Sequence, residues 1–400
     1  MRLLFVHDRL GAMAGAEVNL HLTAAGFKSR KHTLGLLHGP FTGKNESAWR
    51  EIFPQQFPLT DNDTSAVTRF ALSEFQPDAI YVHKMADPGV LETLAESGCP
   101  IVRMVHDHDL YCMRSYKYFP LTRRICTRAA GLYCIFPCGA VLARSRNNGL
   151  PFKWVSYPAK ERELRINRRF HRMVVATDYM KQELLRNGFA ATRIEIHAPV
   201  PATDEAVSES SFNDRNLILY AGQIIRGKGV DVLIEALSRV EETFECRIFG
   251  EGSHRSHCET LSRELGLDGK IRFEGYVPPD ELRKFYADAS LAVVSSVWPE
   301  PFCAAGLEAM RHGLPVVGFD AGGIREWLAN GHNGFLVPWM DRAQFAESIS
   351  RLLRDKALAR KLGAQGRQFA RERFGFTEYI DGLEEMFTRV INETRTGARP

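Results

Sequence analysis

Short apolar runs alternate along this chain with longer stretches whose apolar residues recur at helical spacing. In the first half, Leu3–Val6, Asp78–His83, Pro100–His106 and Val174–Thr177 read as strands. A helix is expected from about Ala16, and another closes near Gly188, a residue suited to helix C-termini. The rhythm restarts after a weakly hydrophobic stretch. Leu217–Tyr220, Cys246–Phe249, Ile271–Phe273, Leu291–Val294, Pro315–Gly318 and Gly334–Val337 read as strands, with Val230–Arg239 an amphipathic helix. Strands separated by helices in this βα rhythm predict parallel sheets covered by helices. The expected fold class is therefore α/β, with two Rossmann-like doubly wound domains and a cleft between them. The domains span 1–198 and 215–373, joined by a polar, Pro-containing linker at 199–214. The remainder, 374–400, carries helical periodicity at Phe376, Tyr379, Ile380, Leu383, Met386, Phe387 and Val390. In folds of this class ligands bind beyond the carboxyl ends of the strands and between domains.

At 400 residues the chain exceeds what one core organises, in keeping with two domains. Its 44% hydrophobic and 25% charged residues are those of a globular protein, and a net charge of +4 is too mild to imply nucleic acid. The opening apolar run is too short for a signal peptide and no later run is long enough to span a bilayer. A cytoplasmic location is therefore expected. There, the eight cysteines are expected to be reduced, buried or metal-bound rather than paired. Cys112, Cys126, Cys134 and Cys138 cluster in a Cys-rich insertion at about 112–138. They can form a structural zinc site with four thiolate ligands, or serve as small buried hydrophobes.

The most informative segment is Glu300-Pro-Phe-Cys-Ala-Ala-Gly-Leu-Glu308. Pro301 pushes Glu300 out of helical geometry and itself suits a first helical turn, so Glu300 is expected in a loop and Glu308 on the helix that follows. Between them lie the free N–H groups of a helix N-terminus, a ready phosphate site. Hydroxyls at both ends and a pyrophosphate between them match a nucleotide-sugar. Alternatively the two carboxylates are solvated helix-start acids or a glycosidase acid/base pair. Further strand-end turns accompany them: Gly222 to Gly229 with Gln223, Arg226 and Lys228, then Gly250-Glu-Gly252, Gly275-Tyr-Val277 and the paired glycines Gly322-Gly323. Each alone is ordinary turn chemistry. Together, at the strand ends of one domain, they favour the nucleotide-sugar reading.

The order Gly-x5-Lys-Gly, Gly-Glu-Gly, Gly-Tyr-Val, Glu-x7-Glu, Gly-Leu-Pro-Val-Val and Gly-Gly-x-x-Glu resembles glycosyltransferase family 4, of GT-B fold. The similarity extends to Gly15-Ala-Glu17 and to the C-terminal helix, which in this family crosses back to the N-terminal, acceptor-side domain. The resemblance implies that Glu308 holds the ribose hydroxyls, Glu300 the donor sugar and Lys228 the pyrophosphate. Backbone N–H groups of Phe302, Cys303, Ala304, Ala305, Gly306 and Leu307 would contact sugar and phosphates, and Tyr276 and Val277 the base. Gly15 would let the first loop approach the donor phosphate, and His106 would be the active-site histidine near the transferred sugar. It further implies a retaining reaction on a UDP- or GDP-sugar, with no cofactor required for catalysis. A glycan or lipid-linked hydroxyl acceptor in envelope polysaccharide or glycolipid assembly would complete it.

The chain departs from the family pattern in three places: Gln223 where arginine is usual, Cys303 where glycine is common and Ala14 where a second glycine is usual. Gln223 leaves open a catalytically weak sugar-nucleotide-binding scaffold subunit, and an epimerase on the same fold is a further alternative. The stretch Arg144–Arg172 is rich in basic residues, including Arg144, Arg146, Lys153, Lys160, Arg162, Arg165, Arg168, Arg169 and Arg172. It is either a face for anionic lipid on the inner side of the plasma membrane or for a phosphorylated acceptor, or a solvated helical surface.

Overall fold

The computed structural model describes residues 1–11, 15–59, 63–119, 121–144, 152–200, 210, 212 and 215–397. Ala14, Arg146 and most of the expected linker lie outside them. The strands are β1 (Arg2–His7), β2 (Thr33–His38), β3 (Gln55–Pro58), β4 (Ala79–Val82), β5 (Ile101–Met104), β6 (Leu142–Arg144), β7 (Phe152–Trp154), β8 (Arg172–Val175) and β9 (Ile194–Ile196). They continue with β10 (Leu217–Ala221), β11 (Glu245–Phe249), β12 (Ile271–Gly275), β13 (Leu291–Val294), β14 (Val316–Phe319) and β15 (Gly334–Val337). Two parallel sheets result, one ordered β3-β2-β1-β4-β5-β8-β9 and the other β12-β11-β10-β13-β14-β15; β6 and β7 form a separate antiparallel pair. The α/β class with two doubly wound sheets is therefore observed.

The chain separates into two compact units. The first comprises 1–117, 127–202 and 376–400, the second 118–126 and 203–375. In the first, the apolar runs of β1, β4 and β5 are buried on both faces, as central parallel strands require. Side-chain oxygens start the helices around them: Asp87 accepts from the Val90 N–H ahead of Pro88, and Thr177 from the Met180 N–H. The helix Phe376–Arg395 packs its apolar stripe on the helix Gly15–Ser29 of the same unit. A Cβ at Gly26 would meet Ile380 Cδ1 at 2.7 Å, and the Tyr379 hydroxyl bonds Asn19 and Thr23. Gly26 is thus what lets that helix seat closely.

In the second unit Leu-Ile-Leu-Tyr of β10 and Leu-Ala-Val-Val of β13 lie side by side at the sheet centre. Strand order reverses there, β11 and β12 continuing to one side and β14 and β15 to the other. Such a reversal opens a crevice at the carboxyl ends, between the loops after the two central strands. Those loops carry Gly222 to Lys228 and Ser295 to Cys303, the latter leading into the helix that bears Glu308. In the first unit the reversal falls between β1, which ends at His7, and β4, which His83 follows.

Candidate functional site

Glu300 sits in the loop after β13 and Glu308 on the helix Ala304–Arg311. That helix starts three residues beyond Pro301, later than the proline suggested. Pro301 and Phe302 are held outside it, because Glu300 pairs its backbone with the loop after β14. Its N–H donates to Ala321 O at 3.1 Å, and its carbonyl accepts from the Gly323 N–H at 2.7 Å. Gly322, at φ 70°, makes the approach feasible, since a Cβ there would lie 2.5 Å from Glu300 O. The paired glycines therefore serve the backbone of the glutamate. Cys303 precedes the helix at φ 69° with no side-chain cap, and burial beside Glu300 pushes its thiol up to about 12.

The Glu300 carboxylate is 2% exposed and accepts, all at Oε1, from Lys228 Nζ at 2.7 Å, Trp298 Nε1 at 2.7 Å and Ser296 Oγ. Burial opposes the charge on Lys228, but Glu300 beside it holds its pKa above the ordinary lysine value. The ammonium also faces the Trp298 ring at 5.2 Å. The turn bearing Lys228 is locked to the Glu300 loop by backbone: Val297 and Trp298 N–H both donate to Gly227 O, and the Ser295 hydroxyl donates to Lys228 O at 2.9 Å. Ser296, Trp298 and this zipper were not foreseen. The Lys228 contacts join loops 67 to 72 residues apart, which no local pattern signals. Ser296 and Trp298 are only four and two residues from Glu300, but nothing in the residue order marks them as its donors.

The remaining turns converge on the same sheet edge. Gly250, at φ 135°, lies so close to the loop after β10 that a Cβ would stand 1.9 Å from Gly222 O, and one on Gly252 would meet Ile224 O at 2.3 Å. Gln223 is exposed, and its carbonyl accepts from the Tyr220 hydroxyl. Arg226 reaches Leu121 O at 3.4 Å. Tyr276 is 76% exposed just beyond β12, with Val277 half-buried beside it. Under the helix Ala304–Arg311, Trp327 donates from Nε1 to Phe302 O, and its ring lies 2.1 Å from where a Gly306 Cβ would be. Ala304, Ala305 and Leu307 form the first turn. Glu308 is partly buried, which raises its carboxyl, and Arg283 and Arg311 offset this in part. The arrangement presents a helix N-terminus, an ammonium and two carboxylates at one switch point, a set suited to a polyhydroxyl ligand with a diphosphate.

In the first unit, histidines stand at or just beyond the carboxyl ends of four adjacent strands: His38 on β2, His7 on β1, His83 after β4 and His106 after β5. His83 Nδ1 lies 2.8 Å from His106 Nε2 with the rings stacked, so the partner of His106 is His83 and not a neighbouring aspartate. Asp107 and Asp109 instead bind Lys84 Nζ at 2.6 and 2.9 Å. A recess beside them is lined by Asp8, His83, Lys84, His106 and Lys160 among others. Gly15 begins the helix after β1, and a Cβ there would meet nothing within 4 Å. His106→Ala is expected to lower turnover more than nucleotide affinity; parental kinetics in the variant would contradict that placement.

Burial lowers the pKa of all four histidines, for His83 and His106 well below 6.5. The unfolded chain takes up these protons near pH 6.5 while the folded one does not. Stability is therefore full above that pH and falls as pH drops, by up to about 1.4 kcal/mol per pH unit for each proton withheld. Thermal unfolding at pH 7.5 and 5.5 checks this; the melting temperature is expected to be clearly lower at pH 5.5, and an equal one would contradict it.

Cys112, Cys126, Cys134 and Cys138 are each partly buried. Among the described residues the one grouping with metal-binding proximity is Asp231, His254 and His257, which contains no cysteine. Much of the basic stretch is engaged within its own unit: Lys160 pairs with Glu163, Arg162 with Glu92, and Arg172 with Glu195 and Glu393, while Arg168 donates to Asn187 O. That favours a structured surface over a free cationic face.

Two parallel doubly wound sheets, with phosphate-type turns at the switch point of one, define the GT-B class. A solved structure of Anabaena HepE in complex with UDP and glucose has this fold, with TM-score 0.74 and 17% identity, covering 97% of this chain and all of HepE. The apo outer-core galactosyltransferase WaaB aligns with TM-score 0.70 at 17% identity, over 97% of this chain and all of WaaB. Residues 13–199 match the glycosyltransferase family 4 model and 202–369 the model for glycosyl transferases group 1. The chain belongs to glycosyltransferase family 4.

Among curated relatives, an uncharacterized glycosyltransferase of Methanocaldococcus jannaschii is 35% identical over 36% of this chain and 37% of its own length. The lipopolysaccharide core biosynthesis glycosyltransferase LpsE of Rhizobium meliloti is 31% identical over 43% of this chain and 51% of its own length. The chain thus spans about half or less of the length of these relatives.

Proposed function

We propose that this chain is a retaining glycosyltransferase that moves a sugar from a nucleoside diphosphate to a hydroxyl acceptor in polysaccharide or glycolipid assembly. The observation that carries the reading is the buried Glu300 carboxylate bonded to Lys228 at the switch point of the second sheet, next to a helix N-terminus. HepE, which shares the fold, has been solved with UDP and with UDP-glucose. LpsE, a relative in sequence, takes its name from lipopolysaccharide core biosynthesis.

In this account the first-turn N–H groups and Lys228 take up the charge that develops on the departing diphosphate, which is the largest electrostatic demand of such a transfer. Glu300 orients Lys228 and offers its remaining oxygen to the sugar hydroxyls. Glu308 accepts from the ribose. The departing phosphate receives the acceptor proton, so the step needs neither a protein nucleophile nor a metal. Among the described residues no helix is long and apolar enough to cross a membrane. We place the reaction in the cytoplasm, at most peripheral to a bilayer.

Incubation with UDP-glucose or GDP-mannose, without acceptor, is the test. Slow release of free sugar with retained anomeric configuration is expected. An isomerised nucleotide-sugar would indicate an epimerase, and no turnover with tight nucleotide binding a scaffold subunit. Glu308→Ala is expected to weaken nucleoside diphosphate binding by roughly 1.5–3 kcal/mol, the scale of a charge-assisted hydrogen bond. Unchanged affinity by calorimetry would refute the ribose role.

A further inference from the structure

Residues 118–126 interrupt the first unit in sequence yet cluster with the second. The described ones, 118, 119 and 121–126, fold into a small loop. Tyr118 bridges Ile125, the Phe119 N–H donates to Arg124 O, and the Arg123 N–H donates to Phe119 O at 2.8 Å. Arg123 itself is held at φ 59°, an unfavourable conformation for a residue with a side chain. Three groups of this loop meet the turn that carries Lys228. The Arg123 guanidinium grips Asp231 with Nη1 to Oδ1 at 3.2 Å and Nη2 to Oδ2 at 2.5 Å. Leu121 O accepts from Arg226. The Tyr118 ring lies 3.3 Å from where a Gly227 Cβ would be, opposite Trp298.

Asp231 occupies the first turn of the helix Val230–Leu237, three residues past Lys228. Both partners of the pair are about one-tenth exposed. An unneutralised carboxylate there would oppose an incoming diphosphate in a poorly screened environment. It would also leave the turn untethered on that side. His254 Nε2, at 3.6 Å from Asp231 Oδ2, is too far to replace the bidentate contact.

We propose that Arg123 is a positioning residue of the donor site. By neutralising Asp231 and fastening the 226–231 turn, the 118–126 loop sets the position of Lys228 and admits the diphosphate. The proposal rests on the reading of that turn as the diphosphate site. It assigns to part of the insertion of the first sequence half a role in donor binding.

The test compares the full chain with Arg123→Met, Asp231→Asn and the double variant, measuring UDP and GDP affinity by calorimetry alongside thermal unfolding. Arg123→Met is expected to weaken binding about tenfold, the effect of roughly 1.4 kcal/mol. The double variant, with no stranded carboxylate, is expected to return to within about threefold of the parent, on the scale of residual geometric loss. Should Arg123→Met fail to fold, Arg123→Lys retains the charge without the bidentate fork, and an intermediate loss of affinity is expected. A lower melting temperature with parental affinity would show a merely structural pair and overturn the proposal, as would a double variant no better than Arg123→Met. A parent that binds neither nucleotide would instead overturn the donor-site reading beneath it.

Discussion

Glu300→Ala is expected to abolish sugar transfer, by at least about 100-fold, and to destabilise the second unit as well. The carboxylate is the shared acceptor of Lys228, Ser296 and Trp298, so its removal leaves three donors facing one another. Breaking a fully buried pair from one side costs about 3–5 kcal/mol. Lys228 retains some contact with water, its side chain being 20% exposed, so about 2–3 kcal/mol is the expected loss. Glu300→Gln keeps the volume and an acceptor but removes the charge. It should recover much of the stability and little of the activity. Denaturant unfolding together with initial rates separates the two effects, and a Glu300→Ala protein with parental turnover would remove this carboxylate from the mechanism.

Gly250→Ala is the second large effect. The added methyl would stand 1.9 Å from Gly222 O, and φ 135° is a backbone conformation that alanine rarely adopts. The contact is with backbone, so no side chain can rotate away. Strain and overpacking each amount to about 1–3 kcal/mol, giving about 2–6 kcal/mol together. Relief comes only by moving the loops after β10 and β11 apart, which displaces the turn that carries Lys228. Loss of nucleotide binding is therefore expected along with a lowered unfolding midpoint. An alanine variant that melts and binds like the parent would show that these loops do not need their close approach.

Much of this was legible in the residues because it is local. Leu-Ala-Val-Val and Leu-Ile-Leu-Tyr announce buried parallel strands by composition alone. Pro301 between two glutamates separates a loop carboxylate from a helical one, even though the helix starts later than the proline suggests. β3 was missed because Gln55-Gln-Phe-Pro58 has no apolar run, and β9 because Ile194-Glu-Ile196 is too short to display a period.

The contacts that tune the site were hidden for a different reason. Trp327 beneath Gly306, His83 beside His106 and Arg123 on Asp231 are set by sheet order and loop packing, across as many as 108 residues of sequence. His83 stands at the reversal of strand order in the first sheet, and its importance follows only once that order is known. The cysteine quartet shows the converse. Closeness in sequence suggested a zinc site, but among the described residues the grouping with metal-binding proximity is Asp231, His254 and His257.

The most direct measurement is the melting temperature of the parent and of Glu308→Ala with UDP, GDP, ADP and CMP. A nucleotide at a hundredfold over its Kd stabilises by about 2.7 kcal/mol, enough for a clear shift. A rise with one nucleoside diphosphate, at least halved in Glu308→Ala at the same concentration, is the result this account predicts. No shift with any of the nucleotides, or an equal shift in the variant, would contradict a donor site built on Glu300, Lys228 and Glu308.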